Sequence, residues 1–292
     1  MPPATDRTRR SPAKAAALVL AGLLGVCIGV SGCGLSDAPS QGGLSRAASG
    51  VGQPVNAGMT TAVAPTSLVR NPGNGRTEAV IPEIGRTVLL IGDSQSEPVD
   101  GWPRQGLAAA GYNVYFCGRG GTGYVSANGA TGNYIDALQR GDWLLPAGTP
   151  ALIVVEGGGN DASNGATDAQ IVRNAVRLIS ELRTRYPGTK MAMIGTLARG
   201  ANDGGGRRSE VDALLGGVAA ANGIPFISVG DWLTRYGLAK DLADAVHMNS
   251  EGRMVLGGIL GRRLRDLGLD RVPAAEQVPL AAVPGSNSAL QD

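Results

Sequence analysis

A chain of 292 residues has room for one ordinary domain with appendages or for two small ones, and a hydrophobic content of 43% can fill a core. A formal net charge of +2, with no Lys/Arg block beyond the extreme amino terminus, leaves no electrostatic footprint for a nucleic-acid partner. The single histidine excludes a metal centre built on several imidazoles, and no repeat period runs along the chain.

In chain order, residues 1–33 read as an address. Arg7, Arg9, Arg10 and Lys14 precede an uncharged stretch from Ala15 to Val30, the form of a signal peptide. Ser31-Gly32-Cys33 then resembles the bacterial lipobox, in which the cysteine is lipidated and becomes the first mature residue. The expectation is an extracytoplasmic lipoprotein of a bacterial cell membrane, tethered by lipid at Cys33. The alternatives are an ordinary secretory signal or an uncleaved span, for which the run falls a little short of the ~20 apolar residues required. With Cys27 removed and Cys33 lipidated, Cys117 is the only free thiol, so no internal disulfide framework can form. Cys117 lies in the apolar run Val114-Tyr115-Phe116-Cys117 and reads as a small buried hydrophobe rather than a nucleophile.

Residues 34–82, rich in Ser, Gly, Ala, Pro and Asn without a period of 2 or 3.6, read as a flexible linker. Residues 272–292 have a similar composition and read as a disordered tail, leaving residues 83–271 as one domain. Within it, short apolar runs predict strands near Val88 to Ile91, Asn113 to Cys117, Leu152 to Val155, Met191 to Ile194 and Pro225 to Val229. One intervening helix carries Ile171, Ala175, Leu178, Ile179 and Leu182 on a single stripe and ends at Tyr186-Pro187-Gly188. The last helix is expected to start with Ser250 as N-cap and to turn Met254, Val255, Ile259, Leu260, Leu264 and Leu267 inward. Alternating strands and helices predict a parallel sheet covered on both faces.

Four segments could carry chemistry. Val88 to Ile91 stops in Gly92-Asp93-Ser94-Gln95-Ser96; taken alone, Ser94 is a helix cap, but a hydroxyl at the carboxyl end of a buried strand stands where α/β sheets place their reactive groups. Serine is nucleophilic at neutral pH only beside a base, and His247 is the one imidazole that could serve. Asp244, three residues earlier on the same loop, could hold its tautomer and stabilise the imidazolium. After Leu152 to Val155 comes Glu156-Gly157-Gly158-Gly159-Asn160-Asp161; it is either a glycine-rich turn or a device that brings the Asn160 amide to an oxyanion. Asp161 reads as a support for that loop. Gly118-Arg119-Gly120-Gly121-Thr122-Gly123-Tyr124 matches a dinucleotide fingerprint in form, but Ser126, Asn128, Gly129 and Gly132 continue it as loop where that motif needs a helix start. A backbone N–H from Gly121 aimed at the oxyanion fits better.

Together and in this order, the segments resemble the SGNH, or GDSL-type, hydrolase superfamily over about residues 84 to 268. Gly92 to Ser96 is similar to its nucleophile block, Gly121 to its oxyanion glycine, Gly159-Asn160-Asp161 to its Gly-x-Asn-Asp block, and Asp244 with His247 to its closing Asp-x-x-His. Two departures stand out: Gln95 follows the nucleophile where leucine is common, and Gly120 could replace Gly121 as donor. The resemblance implies a three-layer α/β/α, flavodoxin-like fold with a parallel five-stranded sheet. It implies a serine esterase that splits carboxylic esters or thioesters, with Ser94, His247 and Asp244 as triad, and the Ser94 amide, Gly121 amide and Asn160 side chain as oxyanion hole. No metal or cofactor is expected. The expected substrate is a small-molecule or cell-envelope ester, possible short acyl groups included, and the expected state is a monomer. Acyl transfer by the same triad, or a non-catalytic lipoprotein binding glycan or lipid, are the alternatives. Trp102, Tyr124 and Trp143 read as core or loop anchors rather than sugar platforms.

Overall fold

The computed structural model describes residues 62–271. The signal-like segment with Cys33, most of the expected linker and the tail at 272–292 lie outside the described residues.

Five strands, β3 (Thr87–Gly92), β4 (Asn113–Gly118), β5 (Leu152–Glu156), β6 (Met191–Ile194) and β7 (Phe226–Ile227), form one parallel sheet in the order β4-β3-β5-β6-β7. Every residue of β3, β5 and β6 is buried, as unbroken apolar runs covered on both faces must be. Side chains alternate between faces, so each strand feeds two cores. Val88, Leu90, Leu152, Val154, Ala192 and Ile194 pack under α1 (Trp102–Ala109), α6 (Trp232–Arg235) and α7 (Ser250–Asp266). Leu89, Ile91, Ile153, Val155 and Met193 pack under α2 (Tyr134–Arg140), α4 (Asp168–Arg185) and α5 (Gly206–Ala221). This is the expected three-layer α/β/α arrangement, and its strand order is that of flavodoxin-like sheets.

The stripe of α4 is buried as predicted; a capping box between Thr167 and Gln170 starts the helix, and it stops before Pro187. The last helix differs. Its N-cap is Asn249, whose side chain accepts from Gly252 N, and Ser250 is the first helical residue. Ile259, Leu260 and Leu264 face inward together with Leu256, whereas Met254, Val255 and Leu267 are exposed. The inward face is set by close approach to α1 rather than by bulk. A Cβ on Gly106 of α1 would lie 2.5 Å from the Leu260 side chain, and one on Gly257 would lie 2.6 Å from Gln105 Cβ. The outermost strand is also shorter than the run Pro225 to Val229 suggested.

The expected linker is ordered over its last part. β1 (Ser67–Arg70) and β2 (Thr77–Val80) pair antiparallel, and Ala79 N donates to the Leu145 carbonyl at 2.9 Å while Ala147 N donates to the Ala79 carbonyl at 2.8 Å. Ala79 and Ile81 enter the core, and Glu78 is buried in an ion pair with Arg185. Two four-residue strands are too short to show alternation in sequence. Among the described residues, no helix is long and apolar enough to cross a membrane.

Candidate active site

β3 and β5 lie in register, Ile91 opposite Val155, so the segments leaving them emerge side by side. The chain turns outward from β3 to β4 but places β5 on the other flank, and the crevice outside such a switch point is where open α/β sheets hold ligands. Ser94 stands in the turn after β3. That turn is closed by Ser96 N and Glu97 N donating to the Asp93 carbonyl at 3.0 and 2.9 Å, and by Gln95 N donating to Asp93 Oδ1 at 3.0 Å.

His247 meets Ser94 from the loop before α7. Its Nε2 lies 2.7 Å from Ser94 Oγ, and its Nδ1 lies 2.7 Å from Asp244 Oδ2. Asp244 Oδ1 accepts from Val246 N at 2.8 Å and from His247 N at 2.7 Å. These backbone donors, with the imidazole after them, hold the Asp244 carboxyl well below the usual carboxylate range although it is solvent-exposed. An ionised carboxylate only accepts, so the imidazole hydrogen sits on Nδ1 and Nε2 is left to accept from the Ser94 hydroxyl. The loop is fastened at its base, where Ala243 N donates to the His247 carbonyl and Asn249 N to the Asp241 carbonyl, both at 2.8 Å.

Gln95, the unexpected residue after the serine, joins the two halves. Its Nε2 donates to the Val246 carbonyl at 2.9 Å and its Oε1 accepts from Trp102 Nε1 at 3.0 Å. Trp102 is wholly buried, and Tyr124 and Trp143 are core residues as well.

On the other side of Ser94 runs the loop after β4. A Cβ on Gly120 would lie 3.3 Å from Ser94 Cβ, so this loop touches the nucleophile turn. Gly120 N donates to Glu97 Oε2 at 2.9 Å. By contrast, the backbone N–H groups of Ser94 and Gly121 donate to no other group among the described residues, which favours Gly121 over Gly120 as a donor to a ligand. Gly121 has φ of 79°, a conformation glycine adopts without strain. No helix begins in this loop until Tyr134, so the dinucleotide fingerprint lacks its helix N-terminus.

Asn160 lies in α3 (Gly159–Ser163), the short turn after β5. Its Nδ2 donates to Asp93 Oδ2 at 3.1 Å and to the Thr122 carbonyl at 2.9 Å, so both amide hydrogens are already engaged within the protein. Asp161 takes backbone N–H bonds from Tyr124, Val125 and Ser126, each at 2.8 Å, so it supports the loop after β4 rather than the one that carries it.

Beneath these residues lie two groups that pattern reading passed over. Asp93 and Glu156 are buried side by side, and Glu156 Oε2 accepts from Ser96 Oγ at 2.7 Å. Burial pushes Asp93 up to about 6 and Glu156 well above the carboxylate range, with the charge of Asp93 adding to the effect on Glu156. Cys117 is buried too, and burial pushes its thiol up to about 12, as befits a core residue rather than a nucleophile. Among the described residues, no group of three or more His, Cys, Asp or Glu could hold a metal ion.

Residues 89–255 match the model of the GDSL-like lipase/acylhydrolase family, more than half of the chain. A curated relative, Esterase TesA of Pseudomonas aeruginosa, is 31% identical over 118 residues, which is 38% of this chain; the match spans about half of the relative's length, 54%. Two distant structural likenesses are the carbohydrate acetylesterase Est24 of Sinorhizobium meliloti and the native aryl esterase of M. smegmatis. The first is 18% identical over 62% of this chain and 99% of its own, with a TM-score of 0.46. The second is 17% identical over the same shares, with a TM-score of 0.45. The match that runs from within β3 into α7, across every segment described around Ser94, makes this chain a member of the GDSL-like lipase/acylhydrolase family.

Proposed function

We propose that the protein is a serine esterase that hydrolyses carboxylic esters. The observation that carries this reading is the continuous line from Ser94 Oγ to His247 Nε2 and from His247 Nδ1 to Asp244 Oδ2, both steps 2.7 Å. Ser94 Oγ attacks the acyl carbonyl as His247 Nε2 takes its proton, and a tetrahedral oxyanion forms. Collapse breaks the bond to the leaving alkoxide, which receives the proton from His247. Water then attacks the acyl-enzyme, gives its proton to His247, and the acid departs as Ser94 recovers its hydrogen. Asp244 keeps the imidazole in the useful tautomer and balances its transient charge. The Ser94 and Gly121 amides and the Asn160 side chain hold the oxyanion, each worth about 2.7–4 kcal/mol of barrier.

A small acyl group is the substrate this reading favours. The signal-like residues 1–33 with Cys33 support an extracytoplasmic, lipid-anchored enzyme acting on small or cell-envelope esters. Turnover of p-nitrophenyl esters from acetate upward tests the reading. The expected result is highest kcat/KM on the short esters and loss of turnover in Ser94→Ala; equal turnover by wild type and Ser94→Ala would refute it.

A further inference from the structure

We infer that Asp93 is a positioning residue of the oxyanion hole: it grips one amide hydrogen of Asn160 so that the other, resting on the Thr122 carbonyl, is the one delivered to the oxyanion. This rests on the reading of Asn160 as an oxyanion donor.

Asn160 Nδ2 carries two hydrogens, and both are spoken for, by Asp93 Oδ2 at 3.1 Å and by the Thr122 carbonyl at 2.9 Å. Both partners are pure acceptors, so the amide cannot be turned end for end without placing its own oxygen against them. An oxyanion must therefore take a hydrogen from one of them. A neutral carbonyl yields it more readily than a carboxylate, because charge-assisted hydrogen bonds are roughly twice as strong as neutral ones. Thr122 thus acts as a placeholder and Asp93 as the anchor. The anchor is itself fixed, since its other oxygen accepts from Gln95 N in the nucleophile turn at 3.0 Å. One carboxylate consequently sets the distance between the turn carrying Ser94 and the side chain of Asn160.

The anchor outcompetes the Thr122 carbonyl only while Asp93 is charged, and its surroundings decide that. Burial opposes its charge most, and Asp161 opposes it as well, while the Gln95 N–H, Arg208 and His247 favour it; Glu156, Tyr124 and Tyr134, buried beside it, complete the set that faces it. Glu156 lies in the same buried pocket and accepts the Ser96 hydroxyl, and burial, with the charge of Asp93 after it, pushes its carboxyl well above the usual range. With its carboxyl raised to about 6, Asp93 is charged at neutral pH and loses that charge in mild acid.

The test is a double-mutant cycle on kcat for a p-nitrophenyl ester, with Asp93→Asn, Asn160→Ala and both together. Asp93→Asn sets an amide donor against the Asn160 amide. Each single variant should lower kcat by about 10²–10³-fold with KM little changed, and the double variant should be no worse than Asn160→Ala alone. Losses that multiply would overturn the inference, because Asp93 would then act somewhere other than through Asn160. An Asn160→Ala enzyme with full kcat overturns it as well, and does so by removing Asn160 from the hole while leaving the Ser94 reading standing. Should Asp93→Asn fail to fold, the acid limb of log kcat/KM decides. In the wild type it should fall more steeply than one proton allows, since His247 must be neutral and Asp93 charged, and in Asn160→Ala it should fall as a single proton. The same limb in both enzymes would contradict the assignment.

Discussion

Two aspartates flank the nucleophile, and their surroundings treat them in opposite ways. Asp244 stands on an exposed loop, yet its carboxyl is held well below the ordinary range by two backbone N–H groups and the imidazole. Asp93 is 3% exposed and is pushed up to about 6, because burial outweighs the one backbone donor it meets. The balance between burial and hydrogen-bond donors aimed at the charged form decides which carboxylate stays ionised: the donors win at Asp244 and burial wins at Asp93. The exposed aspartate is therefore a permanent charge for the imidazole, and the buried one is a charge that can be switched off by mild acid.

The largest effect that could break this comparison is on catalysis. Asp244→Asn removes the acceptor that fixes the imidazole tautomer, and kcat should fall by up to ~10⁴-fold. A fall of less than tenfold in steady-state kinetics would mean that the exposed aspartate is not a permanent partner of His247.

The second prediction is thermodynamic and concerns the buried pair. Asp93 and Glu156 have folded-state pKa values above their unfolded values, so their contribution to stability is complete below about pH 4; that of Asp93 is lost as pH rises through about 6, and that of Glu156 declines in the same direction. Asp244, shifted down, runs the other way: its contribution is present above about pH 4 and disappears only at lower pH. Urea unfolding from pH 4 to pH 7 should show the buried pair's signature as a decline of order 2–3 kcal/mol. Glu156→Gln should flatten that decline, and should cost far less activity than Asp93→Asn, since Glu156 bonds Ser96 and not Asn160. An unaltered slope in Glu156→Gln would show that Glu156 does not carry the proton.

Smaller effects sharpen the contrast. Gln95→Leu severs the link from the nucleophile turn to the Val246 carbonyl and leaves Trp102 Nε1 without its acceptor; a loss of about 1–3 kcal/mol in unfolding free energy is expected, with a several-fold fall in kcat. Met254→Lys, on the exposed side of α7, should change stability by less than about 0.5 kcal/mol. A larger cost would place that face of the helix in contact with something.

The sheet and the two residues in line with Ser94 were legible because their signals are local. Buried parallel strands are continuous apolar runs, and Asp244 and His247 sit three residues apart on one loop. Helix α7 was misread at Met254, Val255 and Leu267 because glycines at 106, 257 and 261 choose its inward face, and close backbone approach leaves no hydrophobic stripe. The hairpin at Ser67–Arg70 and Thr77–Val80 was missed because its strands are only four residues long, and the segment that docks it through Ala79, at Leu145 and Ala147, lies far along the chain. Glu156 looked like the polar end of a strand; its weight comes from contact with Ser96 and Asp93, some sixty residues earlier. Gln95 did leave a trace, as the residue that departs from the family pattern, and that departure marked a real contact.

The central claim is that Ser94 is a nucleophile activated by His247. The most direct measurement is stoichiometric labelling by a fluorophosphonate, followed by intact mass and peptide mapping, on wild type, Ser94→Ala and His247→Ala. The account predicts one adduct per chain on the peptide bearing Ser94, none in Ser94→Ala, and labelling slowed by several orders of magnitude in His247→Ala. Adduct formation at an equal rate in wild type and His247→Ala, or at a residue other than Ser94, would contradict it.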